Sequence, residues 1–439
     1  MATRPNIIFI VADDLGYADL GCYGGRDARF GPVSPVIDGL AAAGLKLTQG
    51  YANSPVCSPT RFALMTGRYQ YRLRGAAEEP INSKSRGSTT LGLPPEHPTL
   101  PSLLRGSGYR TALFGKWHLG FPPAFSPLRS GYDEYFGPMS GGVDYFTHCA
   151  STGVHDLYEG DHEQAREGYL TDLISQRAVE FIEARAAAAE PFFLSLHYTA
   201  PHWPWETRDD AAIAASLTRQ LFHLHGGNIH TYQRMIHHMD EGIGQVMQAL
   251  RRHAMDENTL VVFTSDNGGE RYSDNWPLVG GKMDLTEGGI RVPWVAHWPA
   301  VIAPASVSTQ QCLTMDWSAT MLAAAGVAAD PAYPLDGVSL LPVLRNANML
   351  FERPMHWRMN HRRQRAMRLG DWKYLQVDGL EYLFDLTADE RERANLGHQQ
   401  PDRLAAMRAA WLDWNTSMPS IPDDASVSLG FGVADMPQR

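Results

Sequence analysis

The sequence predicts an α/β fold in which helices flank a large, doubly wound sheet of mixed or parallel strands, followed by a small C-terminal antiparallel sheet with one helix. Two observations support the large sheet: apolar strand patterns recur along the chain, and an amphipathic helical pattern lies between two of them. The third observation is the length of 439 residues, because single cores stop growing at roughly 250–300 residues. We therefore expect one large and one small domain.

Three apolar segments have the composition of buried strands, and each ends at polar residues. The first, NIIFIVADD, ends at Asp13 and Asp14. The second, PFFLSLHYTAPHWP, ends near His202, and the third, NTLVVFTSDNGGE, ends at Asp266 and Asn267. Such continuous apolar runs are typical of strands covered on both faces in a parallel sheet. Because ligands bind at the carboxyl ends of these strands, the polar residues are candidate functional residues.

The segment between the second and third strands, TYQRMIHHMDEGIGQVMQALRRH, predicts a helix. Its apolar residues recur at helical spacing. They are Met235, Ile236, Met239, Ile243, Val246, Met247 and Leu250. Alternation of helices with buried strands indicates a doubly wound α/β domain.

The segment DPAYPLDGVSLLPVLRNAN, rich in proline and turn residues, predicts a domain boundary near 330–350. We assign residues 1–345 to the large domain and 346–439 to a C-terminal subdomain. There, PMHWRMN, AMRLGDWKYLQV and EYLFDL predict antiparallel strands, and PDRLAAMRAAWLDWN predicts one helix. Residues 419–439 are expected to form an irregular tail.

The overall charge argues against a nucleic-acid-binding surface. Lys and Arg number 38 and Asp and Glu number 48, giving a formal net charge of −10 without a basic run. No stretch approaches the ~20 apolar residues of a membrane span, so no membrane partner is expected. The N-terminal apolar run is too short for a secretory signal and lacks a small-residue cleavage site. These features predict a cytoplasmic location, or a periplasmic or secreted one if a leader was removed.

The four cysteines, Cys22, Cys57, Cys149 and Cys312, have no CxxC spacing for a zinc or redox site. If Cys57 has a chemical task, the remaining three cannot all pair. We therefore expect reduced thiols, as in a reducing compartment.

Cys57 lies in the segment NSPVCSPTRFALMTGRY at a predicted helix start. Ser58 is a favourable N-cap, Pro59 is favoured at the first helical position, and Gly67 predicts the helix end. This places Cys57 just outside the helix N-terminus, where the dipole favours negative charge. Arg61, one turn into the helix, is expected beside it.

Further candidate residues occur in short downstream motifs. FGKWHLG contains Lys116 and His118, alternate residues that would lie on the same side of an extended segment. APHWP contains His202, and GGKMDLTEGGIRVP contains Lys282. An anionic substrate would require a local group of cations in a protein of this net charge.

Together these motifs resemble those of the type I sulfatases of the alkaline phosphatase superfamily. The C-x-P-x-R core is present as Cys57, Pro59 and Arg61, and the downstream TGRY fits the same motif. The resemblance extends from the first strand to the C-terminal subdomain, with the motifs in the family's order. It implies an arylsulfatase-like sulfuric ester hydrolase whose cysteine is oxidised to Cα-formylglycine by a separate formylglycine-generating enzyme.

The resemblance also implies one divalent cation. Its ligands would be Asp13, Asp14, Asp266 and Asn267, joined by an oxygen of the modified Cys57. Ligation by oxygen alone is what Ca²⁺ or Mg²⁺ prefers. Uncompensated paired acids at the end of a buried strand would be costly, which also favours a cation there.

The charges of the predicted site lead to the same expectation. Its three carboxylates contribute −3, and the cations Arg61, Lys116 and Lys282 contribute +3. A divalent ion would bring the site to about +2, so that it attracts a sulfate ester.

The mechanism implied by the resemblance uses an aldehyde hydrate at position 57. One hydroxyl of this gem-diol, bound to the metal and helped by Asp266 as base, would attack the sulfur in line. Arg61, Lys116 and Lys282 would stabilise charge on the sulfuryl oxygens.

The remaining steps assign two histidines. His202, with Lys282, would protonate the departing oxygen, and His118 would then remove the proton of the second hydroxyl. Sulfate would leave and the aldehyde would return. A serine or an unmodified cysteine would be trapped after the first step, which explains the need for an aldehyde.

Two alternatives stay open. A phosphonate monoester or phosphodiester hydrolase of the same superfamily can share the modified cysteine and the metal site, although the longer oligomerising extensions that favour it are not obvious here. A non-catalytic anion-binding relative would keep an unmodified cysteine, and the intact motifs argue against it. The alcohol part of the substrate is recognised by loops in which no sequence motif indicates a particular ligand. The prediction therefore covers small-molecule and saccharide sulfate esters alike.

Several other residues are expected to have packing roles. One group of histidines lies on or near one helical stretch at spacings that fit no metal site. They are His223, His225, His230, His237, His238 and His253. Trp203, Trp205 and Tyr145 could contact the leaving group, although packing is the commoner role of such aromatics. Ser140 falls where related enzymes place a small polar residue, but it is not included in the predicted site.

Overall fold

A computed structural model describes residues 4–25, 28–188, 190–216 and 227–428. Its α-helices are α1 (Pro35–Ala42), α2 (Cys57–Thr66), α3 (Leu100–Gly106), α4 (Leu170–Arg185), α5 (Ala211–Ser216), α6 (Ile229–Arg252), α7 (Glu287–Ile290), α8 (Thr314–Ala325), α9 (Leu341–Arg345) and α10 (Pro401–Thr416). Its strands are β1 (Asn6–Ala12), β2 (Leu45–Leu47), β3 (Gly50–Tyr51), β4 (Arg110–Gly115), β5 (Glu134–Gly137), β6 (Tyr158–Glu159), β7 (His162–Glu163), β8 (Phe192–His197), β9 (Thr259–Ser265), β10 (Trp294–His297), β11 (Ser306–Ser308), β12 (Cys312–Leu313), β13 (Met355–Arg358), β14 (Arg365–Leu369), β15 (Trp372–Val377) and β16 (Leu380–Asp385).

Ten strands of the described chain form the large sheet, in the order β11-β2-β10-β9-β1-β8-β4-β5-β6-β7. The central strands β9, β1, β8, β4 and β5 are parallel to one another. Strand β10 pairs antiparallel with β9 and β2, and β6 pairs antiparallel with β5. The predicted large sheet of mixed or parallel strands is confirmed, and it is mixed.

Helices cover both faces of this sheet. Side chains of β1 alternate between two cores, because successive residues of a strand point to opposite faces. Ile8 and Ile10 join α1, α4 and α6 in one core, and Ile7 and Phe9 join α2, α3 and α8 in the other. The doubly wound prediction is therefore confirmed, and burial on both faces explains the unbroken apolar sequence of β1.

The predicted elements of the large domain occur where expected. The three predicted strands are β1, β8 and β9, which are neighbours in the sheet. The predicted helix is α6, and all seven of its predicted apolar residues are buried. It begins earlier than predicted, at Ile229, because the Asn228 side chain caps it by accepting hydrogen bonds from His230 N and Thr231 N.

The C-terminal part contains an antiparallel sheet of four strands, β13 to β16, and the helix α10. Met407 and Trp411 of α10 pack against this sheet. Trp357 of β13 belongs to a core shared with the large domain, and its indole N–H donates to the Ala52 carbonyl at 2.9 Å. The predicted subdomain architecture is confirmed, whereas its boundary between 345 and 346 stays a prediction.

The predicted irregular tail is described up to residue 428. It contains no helix or strand over 419–428, but Val427 forms an isolated parallel bridge with Glu79. Residues 429–439 lie outside the described part of the chain.

Two further observations concern the whole described chain. None of its described helices is both long enough and apolar enough to span a membrane. All four cysteines are unpaired, with Cys57 and Cys312 buried and Cys22 and Cys149 partly exposed.

Candidate active site

The polar residues predicted at strand ends meet at one edge of the sheet. Because β1 and β9 are parallel neighbours with Ala12 opposite Ser265, the residues that follow each strand lie side by side. The backbone N–H of Asp14 donates to Oδ1 of Asp266 at 3.3 Å, and the side-chain amide of Asn267 donates to Oδ1 of Asp14 at 2.7 Å. All the strand-end residues predicted from these two strands are buried.

Lys116 and His202 follow the neighbouring strands β4 and β8, and both lie beside these acidic residues. Nζ of Lys116 lies 2.5 Å from Oδ2 of Asp13, and Nε2 of His202 lies 3.5 Å from Oδ2 of Asp14. Nδ1 of His202 donates to the carbonyl of Trp203, so Nε2 is the ring nitrogen directed at the site. Burial, together with a nearby lysine, lowers the pKa of His202 to about 3, so this imidazole is neutral at rest.

His118 lies at the site, but not in the predicted geometry. The segment is not extended there, because β4 ends at Gly115 and His118 has a φ of 59°. Nε2 of His118 donates to the carbonyl of Ile81 at 2.6 Å, which leaves Nδ1 as the acceptor. Among the described residues, this buried Nδ1 has no hydrogen-bond partner. Burial and the nearby Lys116 keep the pKa of His118 well below its usual value, so its Nδ1 can accept a proton.

Cys57 is the first residue of α2 rather than the residue before it. Val56 is the N-cap, so the prediction of Ser58 as N-cap and Pro59 as first helical residue is wrong. The Ser58 hydroxyl instead accepts a hydrogen bond at 3.0 Å from the backbone of a distant loop, and Pro59 is tolerated because the first turn has unpaired N–H positions. The helix ends as predicted at Gly67, whose φ of 64° is the left-handed conformation that favours glycine.

The sulfur of Cys57 belongs to a compact group of potential ligand atoms. Its members come from Cys57, Asp13, Asp14 and His202, and they lie within 4.8 Å of one another. Burial raises the pKa of the Cys57 thiol to about 12, despite two nearby lysines. Because the thiolate is the nucleophilic form of cysteine, an unmodified Cys57 would be a weak nucleophile at neutral pH.

Arg61 is buried and holds two parts of the site together. Its Nε and Nη2 donate to Oδ2 of Asp266 at 3.1 and 2.8 Å. Its Nη1 donates to the carbonyl of Lys116 at 3.1 Å and lies 3.4 Å from Nδ1 of His197. Arg61 thus fixes α2 relative to the ends of β9 and β4. His197, the last residue of β8, was not predicted as a site residue.

Lys282 lies on the side of the site closest to solvent. Its Nζ lies 2.6 Å from Oδ2 of Asp14 and 3.5 Å from Oε2 of Glu270. The Lys282 side chain is 11% exposed, whereas the Lys116 side chain is fully buried. Glu270 was not predicted, although it follows Asn267 and two glycines in the third strand motif. The partly exposed side chains around the site are thus Lys282, Glu270 and His202, at 11%, 16% and 13%.

Two glycines that were not predicted pack against the site histidines. A Cβ atom on Gly141 would lie 2.4 Å from Cε1 of His118, and one on Gly142 would lie 3.0 Å from Cε1 of His202. Larger residues would displace these imidazoles. The only sequence signal was the pair of adjacent glycines in SGGVDYF.

Ser140, Tyr145 and Trp205, which were not included in the predicted site, make contacts near it. The backbone N–H of Ser140 donates to a buried aspartate at 2.9 Å. Tyr145 is fully buried, and its hydroxyl donates to the His202 carbonyl at 2.9 Å. Trp205 is also buried and packs edge-on against Tyr272, with ring centroids 4.8 Å apart. Tyr145 therefore supports the segment of His202 through its backbone.

Histidines on α6 belong to no metal-binding group within the described part of the chain. His238 packs edge-on against Tyr169 at a centroid distance of 5.8 Å, and His237 lies 3.6 Å from Glu241. His223 and His225 lie outside the described residues.

Comparison with known proteins decides the family. The Sulfatase family model matches residues 5–327 of this chain. The chain belongs to the sulfatase family. Its predicted family membership, fold class and assignment as a sulfuric ester hydrolase are confirmed.

Alignments with individual relatives cover most of the chain. The N-acetylgalactosamine-6-sulfatase of Mus musculus is 32% identical over 391 residues, covering 84% of this chain and 71% of that protein. Arylsulfatase J of Mus musculus is 32% identical over 440 residues, and the match covers 93% of this chain and 71% of that protein. A crystal structure of Ps i-CgsB in complex with k-i-k-neocarrahexaose has a TM-score of 0.85 and 32% identity, covering 95% of this chain and 94% of that chain.

Sulfatases generally use a metal ion and a formylglycine, and this sulfatase has an acidic group that could hold a metal. Two buried oxygen atoms of the site, Oδ1 of Asp13 and Oδ1 of Asn267, have no hydrogen-bond donor among the described residues. Burial and the neighbouring Asp266 raise the pKa of Asp13 well above its usual value, because its charge is incompletely compensated. Buried polar atoms are normally paired. These hard oxygen donors fit Ca²⁺ or Mg²⁺.

The residues predicted to bind the metal therefore lie close together, and His202 lies with them. Asp13, Asp14 and Cys57 belong to the compact group, and Asp266 and Asn267 contact Asp14 directly. A nitrogen of His202 also belongs to the group, although that residue was predicted only as a proton donor. The individual ligand and catalytic roles stay predictions.

Proposed function

We propose that this sulfatase hydrolyses sulfate monoesters of saccharides to an alcohol and inorganic sulfate. The observation that carries the proposal is the position of Cys57, at the start of α2 and within 4.8 Å of ligand atoms from Asp13, Asp14 and His202. Similarity to an N-acetylgalactosamine-6-sulfatase and to Ps i-CgsB, crystallised with k-i-k-neocarrahexaose, supports a saccharide as the alcohol part.

We further propose that a formylglycine-generating enzyme converts Cys57 to Cα-formylglycine. The complete C-x-P-x-R motif supports this conversion, and so does the raised thiol pKa of about 12, which makes unmodified Cys57 a weak nucleophile. A hydrated aldehyde offers two hydroxyls on one carbon. One accepts the sulfuryl group, and the other allows its release.

Asp13, Asp14 and Asn267 carry the oxygen atoms that would hold a Ca²⁺ or Mg²⁺ ion, with Asp266 and residue 57 beside them. When bound, such an ion supplies positive charge that attracts the ester and makes a nearby hydroxyl more acidic. The unpaired oxygens of Asp13 and Asn267 support this assignment.

Three cations would receive the sulfuryl oxygens. Arg61 is buried and paired with Asp266, Lys116 is fully buried and paired with Asp13, and Lys282 is 11% exposed and paired with Asp14. Because these groups are held by buried partners before the substrate arrives, they stabilise developing charge with little reorganisation.

The first chemical step transfers the sulfuryl group to residue 57. A bond forms between a hydroxyl oxygen of residue 57 and sulfur, while the bond between sulfur and the alcohol oxygen breaks. Asp266 accepts the hydroxyl proton, and the ammonium of Lys282 supplies the proton that the leaving oxygen takes up, which the unprotonated Nε2 of His202 can pass on. Both groups approach Oδ2 of Asp14, at 3.5 Å for His202 and 2.6 Å for Lys282, so they lie on the same side of the site.

The second step regenerates the aldehyde. His118 accepts the proton of the remaining hydroxyl at Nδ1, because its Nε2 is bound to the Ile81 carbonyl. The bond between the residue 57 carbon and the sulfate oxygen then breaks, and sulfate leaves with the electron pair. Water rehydrates the aldehyde for the next cycle.

Mass spectrometry and a substrate panel test this proposal together. Formylglycine should lower the mass of the Cys57 peptide by about 18 Da, because CH₂SH becomes an aldehyde. kcat/KM should be higher for 4-nitrophenyl sulfate than for the matching phosphate, phosphonate and phosphodiester. Cys57→Ala is the control and should fold normally without turnover.

Each result separates the proposal from one alternative. A preference for the phosphonate or the diester would assign the chain to the hydrolases of those esters. A folded, metal-loaded protein that keeps its thiol and hydrolyses no ester would be an anion-binding relative. Full activity with an unmodified thiol would refute the formylglycine mechanism.

A further inference from the structure

Asp156 is a fully buried aspartate that the proposed reaction steps do not use. One of its oxygens, Oδ2, accepts both the backbone N–H of Ser140, at 2.9 Å, and the Ser140 hydroxyl. The other oxygen, Oδ1, accepts a hydrogen bond from Nη2 of Arg86 at 2.7 Å. The carboxylate of Asp156 therefore fixes the position of Ser140 from two directions, in a place that water does not reach.

Both chain neighbours of Ser140 contact His118. On one side, the carbonyl of Met139 accepts the backbone N–H of His118 at 3.0 Å. On the other side, Gly141 lies against the imidazole, since a Cβ atom there would lie 2.4 Å from Cε1 of His118. The backbone and the ring of His118 are thus both held by a segment whose middle residue is fixed by Asp156. A shift of Ser140 would be passed directly to His118.

The ring of His118 depends on this packing because it makes one hydrogen bond within the described chain. Its Nε2 donates to the carbonyl of Ile81 at 2.6 Å, and its Nδ1 has no partner there. A single hydrogen bond leaves an imidazole free to tilt about that bond, so packing against Gly141 has to set the direction of Nδ1. Nδ1 is the atom that accepts a proton in the proposed second step.

Arg86 holds the far side of Asp156. Its Nη1 donates to the hydroxyl of Tyr158 at 3.2 Å, and its guanidinium carbon lies 4.7 Å from the centroid of the Phe121 ring. Burial raises the pKa of Asp156, and the contacts with Ser140 and Arg86 oppose this rise. A buried carboxylate without such partners would be costly. The contacts that fix Ser140 therefore also favour the charged form of Asp156.

We propose that Asp156 is a positioning residue that holds His118 in place for the second chemical step. It acts through the loop of Ser140 and Gly141 and does not touch the reacting atoms. The inference rests on the proposed function, in which Nδ1 of His118 accepts the proton of the remaining hydroxyl of residue 57 while the bond to the sulfate oxygen breaks. The first step, sulfuryl transfer, does not use His118 and is expected to be unaffected.

Kinetics with 4-nitrophenyl sulfate separate the two steps, because nitrophenolate leaves in the first and sulfate in the second. In Asp156→Asn an amide replaces one acceptor, so a contact with Ser140 or Arg86 is lost. We expect kcat to fall about 10–100-fold. KM should fall in proportion and kcat/KM should stay near the wild-type value, because only the step after the first product slows. Rapid mixing should show a burst of about one nitrophenolate per active site.

Asp133 offers a matched control at the other end of β4. Its Oδ2 accepts the backbone N–H and the hydroxyl of Thr111 at 2.9 and 3.1 Å, and lies 3.9 Å from Nε of Arg110. These contacts repeat the pattern at Asp156, but Thr111 is the second residue of β4, whereas His118 lies three residues beyond its last. Asp133→Asn should lower Tm, keep the wild-type kcat and KM, and produce no additional burst.

Two further variants test the contacts between Asp156 and His118. Gly141→Ala places a Cβ against the ring and should give the same burst with the same parallel fall of kcat and KM. Ser140→Ala removes the hydroxyl but keeps the backbone contact, so it should fold even if Asp156→Asn folds poorly. It should show the same signature with a fall of about two- to tenfold in kcat.

Three kinetic outcomes would overturn the inference. A burst in Gly141→Ala without one in Asp156→Asn or Ser140→Ala would show that His118 is held without Asp156. A fall of kcat at constant KM without a burst would indicate a smaller active fraction, which is a purely structural effect. A rise of KM in Ser140→Ala would place its hydroxyl at the substrate instead of in the support of His118.

Long-range ¹H–¹⁵N correlation spectra of the histidine rings test the contact without turnover. The His118 signal, assigned by its loss in His118→Gln, should shift or broaden in Asp156→Asn and stay unchanged in Asp133→Asn. An unchanged His118 signal in Asp156→Asn would refute the positioning role. A wild type that hydrolyses no sulfate ester while its His118 signal responds to Asp156→Asn would refute the proposed hydrolysis and leave the contact in place.

Discussion

The active site and the interface between the large domain and the C-terminal sheet both bury a group of charged side chains, but only one group is saturated. At the interface, Lys373 lies 2.9 Å from Glu287 and 2.8 Å from Glu392. Tyr51 donates to the second oxygen of Glu287, and the backbone N–H of Glu287 donates to the second oxygen of Glu392. Each oxygen of these two carboxylates has a cation or a hydrogen-bond donor within 2.9 Å, and on this criterion we call the group saturated, although Oε1 of Glu392 meets Lys373 as an ion pair without hydrogen-bond geometry.

The active site differs because two of its oxygens have neither a hydrogen-bond donor nor a cation within 2.9 Å among the described residues. They are Oδ1 of Asn267 and Oδ1 of Asp13, and Nη2 of Arg61 lies 3.9 Å from the latter. The pKa shifts do not separate the two groups, since burial raises the pKa of both Glu270 and Glu392 to about 7. Unpaired oxygens of residues in or beside a compact group of ligand atoms therefore indicate a binding site better than buried charge does.

The largest expected effect comes from changing the unsaturated group. Asp13→Asn keeps the side-chain shape but removes a charge from the proposed metal site. We expect metal content, measured by elemental analysis, to fall, and kcat/KM for a sulfate ester to fall on the order of 10²–10³-fold. Glu392→Gln is the matched control, because it alters an equally buried carboxylate of the saturated group. Full metal content and activity in Asp13→Asn would remove the proposed difference between the groups.

A change in the saturated group should affect stability instead. Lys373→Met leaves Glu287 and Glu392 without their shared cation. Removing one partner of a buried ion pair costs roughly 3–5 kcal/mol. Urea unfolding should show this loss in the free energy of unfolding, while kcat of the folded protein stays close to wild type. Lys373→Gln keeps a donor and should lose less, which keeps the comparison measurable. An unfolding curve identical to that of the wild type would contradict the structural role.

The smallest expected effect is a pH dependence of the saturated group. Burial raises the pKa of Glu392 from 4.5 to about 7, so the folded protein holds this proton more tightly than the unfolded chain does. The contribution of Glu392 to stability is therefore largest below pH 4.5 and declines as the pH rises towards 7. Glu392→Gln should remove a decline of about 2–3 kcal/mol between pH 5 and pH 8 in urea unfolding. Parallel pH profiles of variant and wild type would show that Glu392 does not titrate in this way.

Predictions from local pattern succeeded where burial alone decides the structure. The apolar run of β1 is covered on both faces, and the apolar positions of α6 are buried, as their spacing predicts. The predicted start of α2 was two residues late, at Pro59 instead of Cys57, because Ser58 has the side chain of a favourable cap. A hydrogen bond from the backbone of a distant loop, rather than local preference, decides between these positions.

The sequence by itself determined the strands, the main helix, the C-x-P-x-R motif and the identities of the strand-end acids. These features depend on residues close together in the chain, where composition and periodicity report burial directly. Only the tertiary structure decided that Asp14 meets Asn267, 253 residues away, while one oxygen of Asn267 stays unpaired. It also decided that Gly141 packs on His118 and that Gln364 contacts the segment that follows Lys282. Such contacts depend on strand order and loop packing, which no single segment encodes, because many distant pairings bury the same apolar surface equally well.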